Sequence, residues 1–205
     1  MSEQKSRASR VKELTARRLD WLLNQASDSV CKATLADLRR GVGHKPGEMP
    51  EVWGLLLQNL PEDMWGRDTE ISREEGAIYT ALTLFAVHQQ GWDPKREPMH
   101  RPGSPFGAAV AKLAPGDEDG RERIERRFSQ AVTSTEMAEF AQHLRGLVQL
   151  LSVQGIPLDW AELAGQLYTF QFPEYAAGIR LRWGEAFYMA LNREDHHKEE
   201  NDDEQ

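Results

Sequence analysis

Apolar residues along the chain recur at spacings of three and four, and no segment shows the strict alternation of a half-buried strand. The pattern predicts an all-α protein. Helices are expected over 11–26, 28–40, 51–60, 73–90, 106–114, 119–132, 134–153, 159–170 and 174–191. In 73–90, Ile78, Leu82, Leu84, Phe85 and Val87 cover much of the helix circumference, which predicts a central, buried element. In 134–153, Met137, Phe140, Ala141, Leu144, Leu147, Val148 and Leu151 form one continuous stripe. Thr133 with Glu136, and Asp159 with Glu162, have the spacing of a capping box. Five Pro and Gly residues fall between 92 and 105, namely Pro94, Pro98, Pro102, Gly103 and Pro105. That density of breakers predicts a linker over 92–105 between two small helical bundles, 11–91 and 106–191. The last segment, 192–205, is acidic and nearly free of apolar residues, and disorder is expected there.

Composition narrows the setting. Cys31 is the sole cysteine, so neither an intrachain disulfide nor a CxxC metal site exists. The stretch 1–12 is polar and lacks the apolar core of a signal peptide, and no apolar run approaches the roughly 20 residues of a membrane span. A cytoplasmic protein with no membrane partner is expected.

The chain carries no GxSxG, HExxH or GxxxxGK[ST] pattern. Gly41, Gly43 and Gly47 follow a helix rather than a strand and are misspaced for a dinucleotide loop. Cys31 lies beside Val30 in a predicted helix and reads as a buried structural thiol. His88, near Phe85, reads as a hydrogen-bonded core or rim histidine, and no two histidines share ligand spacing on a helix. The six tryptophans lack interleaved basic residues and read mostly as core or inter-helix filler. No enzyme activity, cofactor or metal is expected.

Charge changes the picture. The net charge of −8 argues against a nucleic-acid partner if spread evenly, but it is not spread evenly. The segment 192–205 holds two basic and seven acidic residues, and 46–79 holds two basic and eight acidic. The rest of the chain is net positive by three. Arg39, Arg40 and Lys45 have no acid among them, and Lys95, Arg96, Arg101 and Lys112 face only Glu97 between 95 and 112. In 121–127 the residues separate by face: Ile124, with Phe128 and Ala131, makes the apolar stripe, Arg123, Arg126 and Arg127 share one flank, and Glu122 and Glu125 lie opposite. Such a ridge suits phosphates, and it equally describes a helix with ordinary surface arginines. Arg145 and His143 flank their helix's stripe, and Arg180 and Arg182 flank Ile179 and Trp183, as rim residues or as phosphate ligands.

Seven segments in order resemble one family: Leu35-Ala-Asp-Leu-Arg-Arg-Gly41, the run 81–91 ending His88-Gln-Gln-Gly91, Met99-His-Arg-Pro-Gly103, Glu125-Arg-Arg-Phe128, the run 143–151 opening His143-Leu-Arg-Gly146, Gly155-Ile-Pro-Leu-Asp-Trp160 and Ile179-Arg-Leu-Arg-Trp-Gly184. Together, over about 15–191, they resemble the CasB family, the small subunit of the type I-E CRISPR surveillance complex Cascade. The resemblance implies a non-catalytic, two-bundle protein acting in antiviral defence. Its implied partners are the backbone and large subunits, a second copy of itself, crRNA and target DNA. It implies sequence-independent contact with nucleic-acid backbone that stabilises target binding and the R-loop. Carried over residue by residue, the contacts are Arg39, Arg40, Arg101, Arg126, Arg127 and Arg145, and the charge pattern adds Lys112 and Arg123. Many family members have an Arg where Ala108 stands; either Lys112, one turn on, supplies that charge or the contact is missing. The alternative to a nucleic-acid clamp is an all-α protein–protein adaptor whose arginines serve a protein interface.

Overall fold

The structure is a computed structural model that describes residues 2–68, 70–114 and 117–203, with side chains described except at 2, 5 and 194–203. The α-helices among them are α1 (Ser2–Asp20), α2 (Asp28–Arg40), α3 (Trp53–Leu57), α4 (Arg73–His88), α5 (Phe106–Ala111), α6 (Glu118–Val132), α7 (Met137–Val153), α8 (Trp160–Phe170) and α9 (Pro173–Asp203). No β-strand occurs among the described residues, as the periodicity predicts.

Helix α4 is the hub. Ala77, Ile78, Ala81, Leu82, Phe85 and Ala86 are each at most 1% exposed, so it needs neighbours on every side. It finds them in α1, α2, α7 and α8. Its start is fixed by a complete capping box that the spacing of Ser72 and Glu75 could have predicted. Ser72 Oγ accepts from the Glu75 amide at 3.0 Å, and Glu75 Oε2 accepts from the Ser72 amide at 2.7 Å. The Thr133–Glu136 box does not form. Thr133 instead ends α6, with its hydroxyl donating to the Ser129 carbonyl at 2.7 Å, and α7 starts at Met137. Asp159 caps α8 as expected, accepting from the Glu162 amide at 2.9 Å, but the Glu162 carboxylate turns to Lys12 and Gln166 instead of returning.

The packing does not follow the division expected at 92–105. Helix α8, placed by its position in the C-terminal set, lies along α1 and against α4. It is buried on nearly every side, so no single bundle satisfies it. Contact with α1 is close because of Gly165, where a Cβ would come within 2.9 Å of the Ala8 carbonyl oxygen. The Pro-rich segment is itself laced to the entry of α8. Leu158 N donates to Met99 O (3.2 Å), Arg101 N to Leu158 O (3.1 Å) and Asp159 N to Ser104 O (2.7 Å). One continuous buried core results. The segment 192–205, expected to be disordered, continues α9 as helix to Asp203; positions 204 and 205 lie outside the described residues. No Gly or Pro after Gly184 stops the helix, although its buried stripe ends at Leu191.

The core from α5 to α9 is aromatic. Phe128 of α6 stacks on Phe187 of α9 (4.4 Å, 8° between planes), and Phe140 of α7 stacks on Trp183 of α9 (4.8 Å, 19°). Phe106 of α5 touches Phe128, Phe140 and Trp183. Helix α5 reaches this cluster because Gly107 lies flat on α9. A Cβ there would stand 2.1 Å from the Trp183 carbonyl oxygen and 2.8 Å from the Phe187 nitrogen, both rigid backbone atoms.

Two outcomes are expected. Gly107→Ala forces α5 off α9 and destabilises the protein by about 2–3 kcal/mol in urea unfolding, where an Ala in an open helix would stabilise it. His88 is fully buried, and its Nδ1 accepts from Trp160 Nε1 at 3.1 Å. Burial, partly opposed by the Ile156 backbone, pushes its pKa down from 6.5 to about 4. Its folded pKa is therefore below its unfolded one. The stability it supports is complete above about pH 6.5 and is lost as pH falls toward 4. Between pH 7 and pH 5 unfolding free energy drops by about 2 kcal/mol from this residue, and His88→Gln flattens that part of the pH profile.

Candidate nucleic-acid interface

Helix α6 is anchored by few residues. Asp117 caps it, accepting from the Gly120 amide at 2.7 Å, and Ile124, Phe128 and Ala131 are buried beneath it. With that stripe turned inward, Arg123, Arg126 and Arg127 are exposed together. They face α7 across a groove of ≈ 450 Å³ whose other wall carries Gln142, His143 and Gly146. Gln130 completes it.

The electrostatics of this groove are unusual for an acidic protein. Glu125 is held by Arg121 at 3.3 Å, turned from the ridge. None of Arg123, Arg126 and Arg127 has an ion pair among the described residues. Arg123 stands at i,i+3 to Arg126 and i,i+4 to Arg127, so like charges adjoin on one face and repel. A groove of three unpaired guanidiniums, two carboxamides and an imidazole offers donors in many directions and no competing acid. Such an arrangement suits an anion with several acceptor oxygens.

The other predicted residues fall elsewhere. Arg145 is exposed on α7 but does not line the groove. Arg40 is paired with Asp37, and Arg39 is half-buried at the end of α2. Their position is set by Gly41, whose carbonyl accepts from the Tyr79 hydroxyl at 2.7 Å and where a Cβ would meet that oxygen at 2.6 Å. Arg101 is exposed on the laced segment, beside Gly103, whose amide donates to Asp159 at 2.9 Å. Lys112 is exposed at the end of α5. Thus Arg123, Arg126 and Arg127 share one groove and the other five do not join them. Gln130 and Gln142 were missed because neutral side chains leave no trace in a charge map; their spacing along α6 and α7 from the arginines and His143 was the available signal.

Several residues resolve as structural. Cys31 is buried, and burial pushes its thiol pKa up. Trp53, Trp65, Trp92, Trp160 and Trp183 each donate their indole N–H to an acceptor within the chain, so they act as pins. Arg182 stands 3.9 Å from Glu162. Among the described residues no group of three or more His, Cys, Asp or Glu is placed to hold a metal. No helix of the described residues is long and apolar enough to cross a membrane.

Comparison with known proteins now decides the family. The family model described as CRISPR-associated protein Cse2 matches residues 34–188. The chain belongs to the Cse2 family. Among solved structures, CasB from Thermobifida fusca is 32% identical, with 88% of this chain and 97% of that chain covered and a TM-score of 0.67. A CRISPR-associated protein of the Cse2 family from Thermus thermophilus shares the fold at 24% identity, covering 86% and 98%, with a TM-score of 0.63. A chain of a CRISPR RNA-guided surveillance complex shares it at 18% identity, covering 95% and 99%, with a TM-score of 0.67. Curated proteins yield no match. The Cse2 match takes in every one of the seven segments, from Leu35 to Gly184, so the motif reading and the family agree over the same stretch.

Because the α6 arginines hold no ion-pair partner, their removal costs the fold little. Arg126→Ala with Arg127→Ala leaves the unfolding free energy within about 0.5 kcal/mol of the parent, with a slight gain where repulsion is relieved. Phe128→Ala, on the same helix, lowers it by about 3–5 kcal/mol in the same urea titration.

Proposed function

We propose that this Cse2-family chain is the non-catalytic small subunit of a crRNA-guided surveillance complex and binds nucleic-acid backbone through the α6–α7 groove. The observation that carries the reading is the set of exposed, unpaired guanidiniums of Arg123, Arg126 and Arg127 in one groove. Each phosphate that such a cation neutralises releases counterions, so binding is independent of base sequence and weakens as salt rises. In the complex the groove would hold target DNA or crRNA backbone and so stabilise the R-loop. Arg39, Arg101, Lys112 and Arg145 would add contacts where a long polyanion passes them, and Arg40 would have to leave Asp37 to do so.

Partners follow from the same reading: the other Cascade subunits, a second copy of the chain, crRNA and target DNA. A protein interface also has support of its own. Leu181, Tyr188 and Met189 are each at least 50% exposed and recur at i, i+7 and i+8 on α9. This face would seat another subunit while the arginines on α6 meet nucleic acid, so the adaptor role accompanies the clamp.

The test is binding of the purified chain to mixed-sequence single-stranded DNA by fluorescence anisotropy. Log affinity should fall linearly with log salt, and Arg126→Ala with Arg127→Ala should lower the steepness by about 1.5 while weakening binding at least tenfold. Unchanged binding by the double variant refutes the groove as a phosphate contact. Target binding by the assembled complex that survives the same substitutions points to the adaptor role alone.

A further inference from the structure

Arg73 enters none of the roles above, and Arg180 was left open as a rim residue or a phosphate ligand, yet the fold brings them to one recess. Its volume is ≈ 530 Å³, and it is walled by the first residue of α4, the α6–α7 turn, the end of α8 and the first turns of α9. Gln171 Nε2 donates to the Arg73 carbonyl at 3.0 Å and so ties the start of α4 to the α8–α9 turn. The Arg73 guanidinium carbon lies 4.5 Å from the Phe172 ring centre, and that of Arg180 lies 5.4 Å from the Phe170 ring centre. Arg180 Nη2 donates to the Ser134 carbonyl at 2.8 Å, while its buried Nε has no hydrogen-bond partner. Neither arginine has an ion pair among the described residues, and Glu136 is the one acid on the recess wall.

Stacking on a ring fixes a guanidinium without neutralising it, so ordering entropy that a ligand would otherwise cost is already spent. This recess also adjoins the α6–α7 groove. Ser134, which holds Arg180, donates its hydroxyl to the Gln130 carbonyl at 3.1 Å, and Gln130 lines that groove. We infer that Arg73 and Arg180 form a second phosphate-binding site, which continues the arginine groove around the α6–α7 turn so that one nucleic-acid backbone occupies both. This inference rests on the groove being a phosphate contact. A phosphodiester backbone fits better than a carboxylate from a protein partner. It carries charge at regular intervals and reaches both recesses at once, so the groove arginines offset the repulsion from Glu136, whereas a lone carboxylate meets Glu136 and gains nothing from the groove.

Arg73 is the variant of choice because it is exposed and its side chain holds no backbone carbonyl. Arg73→Ala, in the full chain with mixed-sequence single-stranded DNA as the probe, should weaken binding roughly five- to tenfold and lower the salt slope by about 0.7, while loss of the Phe172 contact lowers the thermal midpoint by no more than about 4 °C. Arg180→Lys keeps the charge but loses the fork, and should weaken binding while the salt slope stays near that of the parent. Parental affinity and slope for Arg73→Ala, when Arg126→Ala with Arg127→Ala loses binding, overturn the second site and leave the groove intact. If no chain binds DNA, both sites fall together. A loss on Arg73→Ala confined to capture of a purified protein subunit, with DNA binding unaltered, assigns the recess to a carboxylate and also overturns the proposal.

Discussion

The α6 ridge exists because an aromatic stack holds it. Helix α6 fully buries only Ile124, Phe128 and Ala131 among its apolar residues, with Val132 partly covered at its end, and it carries three arginines on one flank that repel each other. Alone such a helix would be marginal. The face-to-face contact of Phe128 with Phe187, backed by Phe106, clamps it to α9. Phe140 on Trp183 does the same for α7. Both walls of the groove are therefore fixed to the same helix by rings that bury large areas and admit few alternative geometries. Gly107 is what lets α5 deliver Phe106 to that junction.

The chain uses its cations in three physically distinct ways. Arg18 is buried and its guanidinium is satisfied by the carbonyls of Leu14, Leu55, Leu56 and Gln58, with burial pulling its pKa down to about 10. It seals the end of α3 instead of meeting a ligand. Arg7 and Arg10 are paired, with Glu74 and Asp63 respectively, both at 2.8 Å. Those pairs consume part of the acidic segment 46–79, so that segment is not a free acidic face. Arg123, Arg126, Arg127, Arg73 and Arg180 form the third kind, held in place without a counter-charge. Net charge averages over all three and is a poor guide to what the surface attracts.

Helix type and approximate position were legible because a 3–4 stripe survives any tertiary context; α2 and α4 fall close to their predicted limits. The partner of each stripe was not legible. Helix α8 is apolar on most of its circumference, and nothing in such a sequence says which half of the chain will cover it, so the Pro-rich segment looked like a boundary when it is a seam. The Thr133–Glu136 spacing misled because a threonine at a helix end can also bond back to the carbonyl four residues earlier. At the site, segregation of Arg123, Arg126 and Arg127 from Glu122 and Glu125 was readable from 100° steps, and all three arginines stand exposed on the groove side of α6. Arg73 was invisible as a candidate because it lies in an acidic stretch and meets its neighbours from 134–180 only through the fold.

Unpaired arginines held by this core should touch a phosphate backbone. Arginine footprinting with phenylglyoxal, read by mass spectrometry, tests this contact in the assembled ribonucleoprotein bound to target DNA. Arg123, Arg126 and Arg127 should be shielded relative to the isolated chain, with reactivity returning after nuclease digestion, while Arg67 in the acidic segment stays reactive throughout. Shielding that persists after digestion, or none at all, means that these arginines do not contact the nucleic-acid backbone.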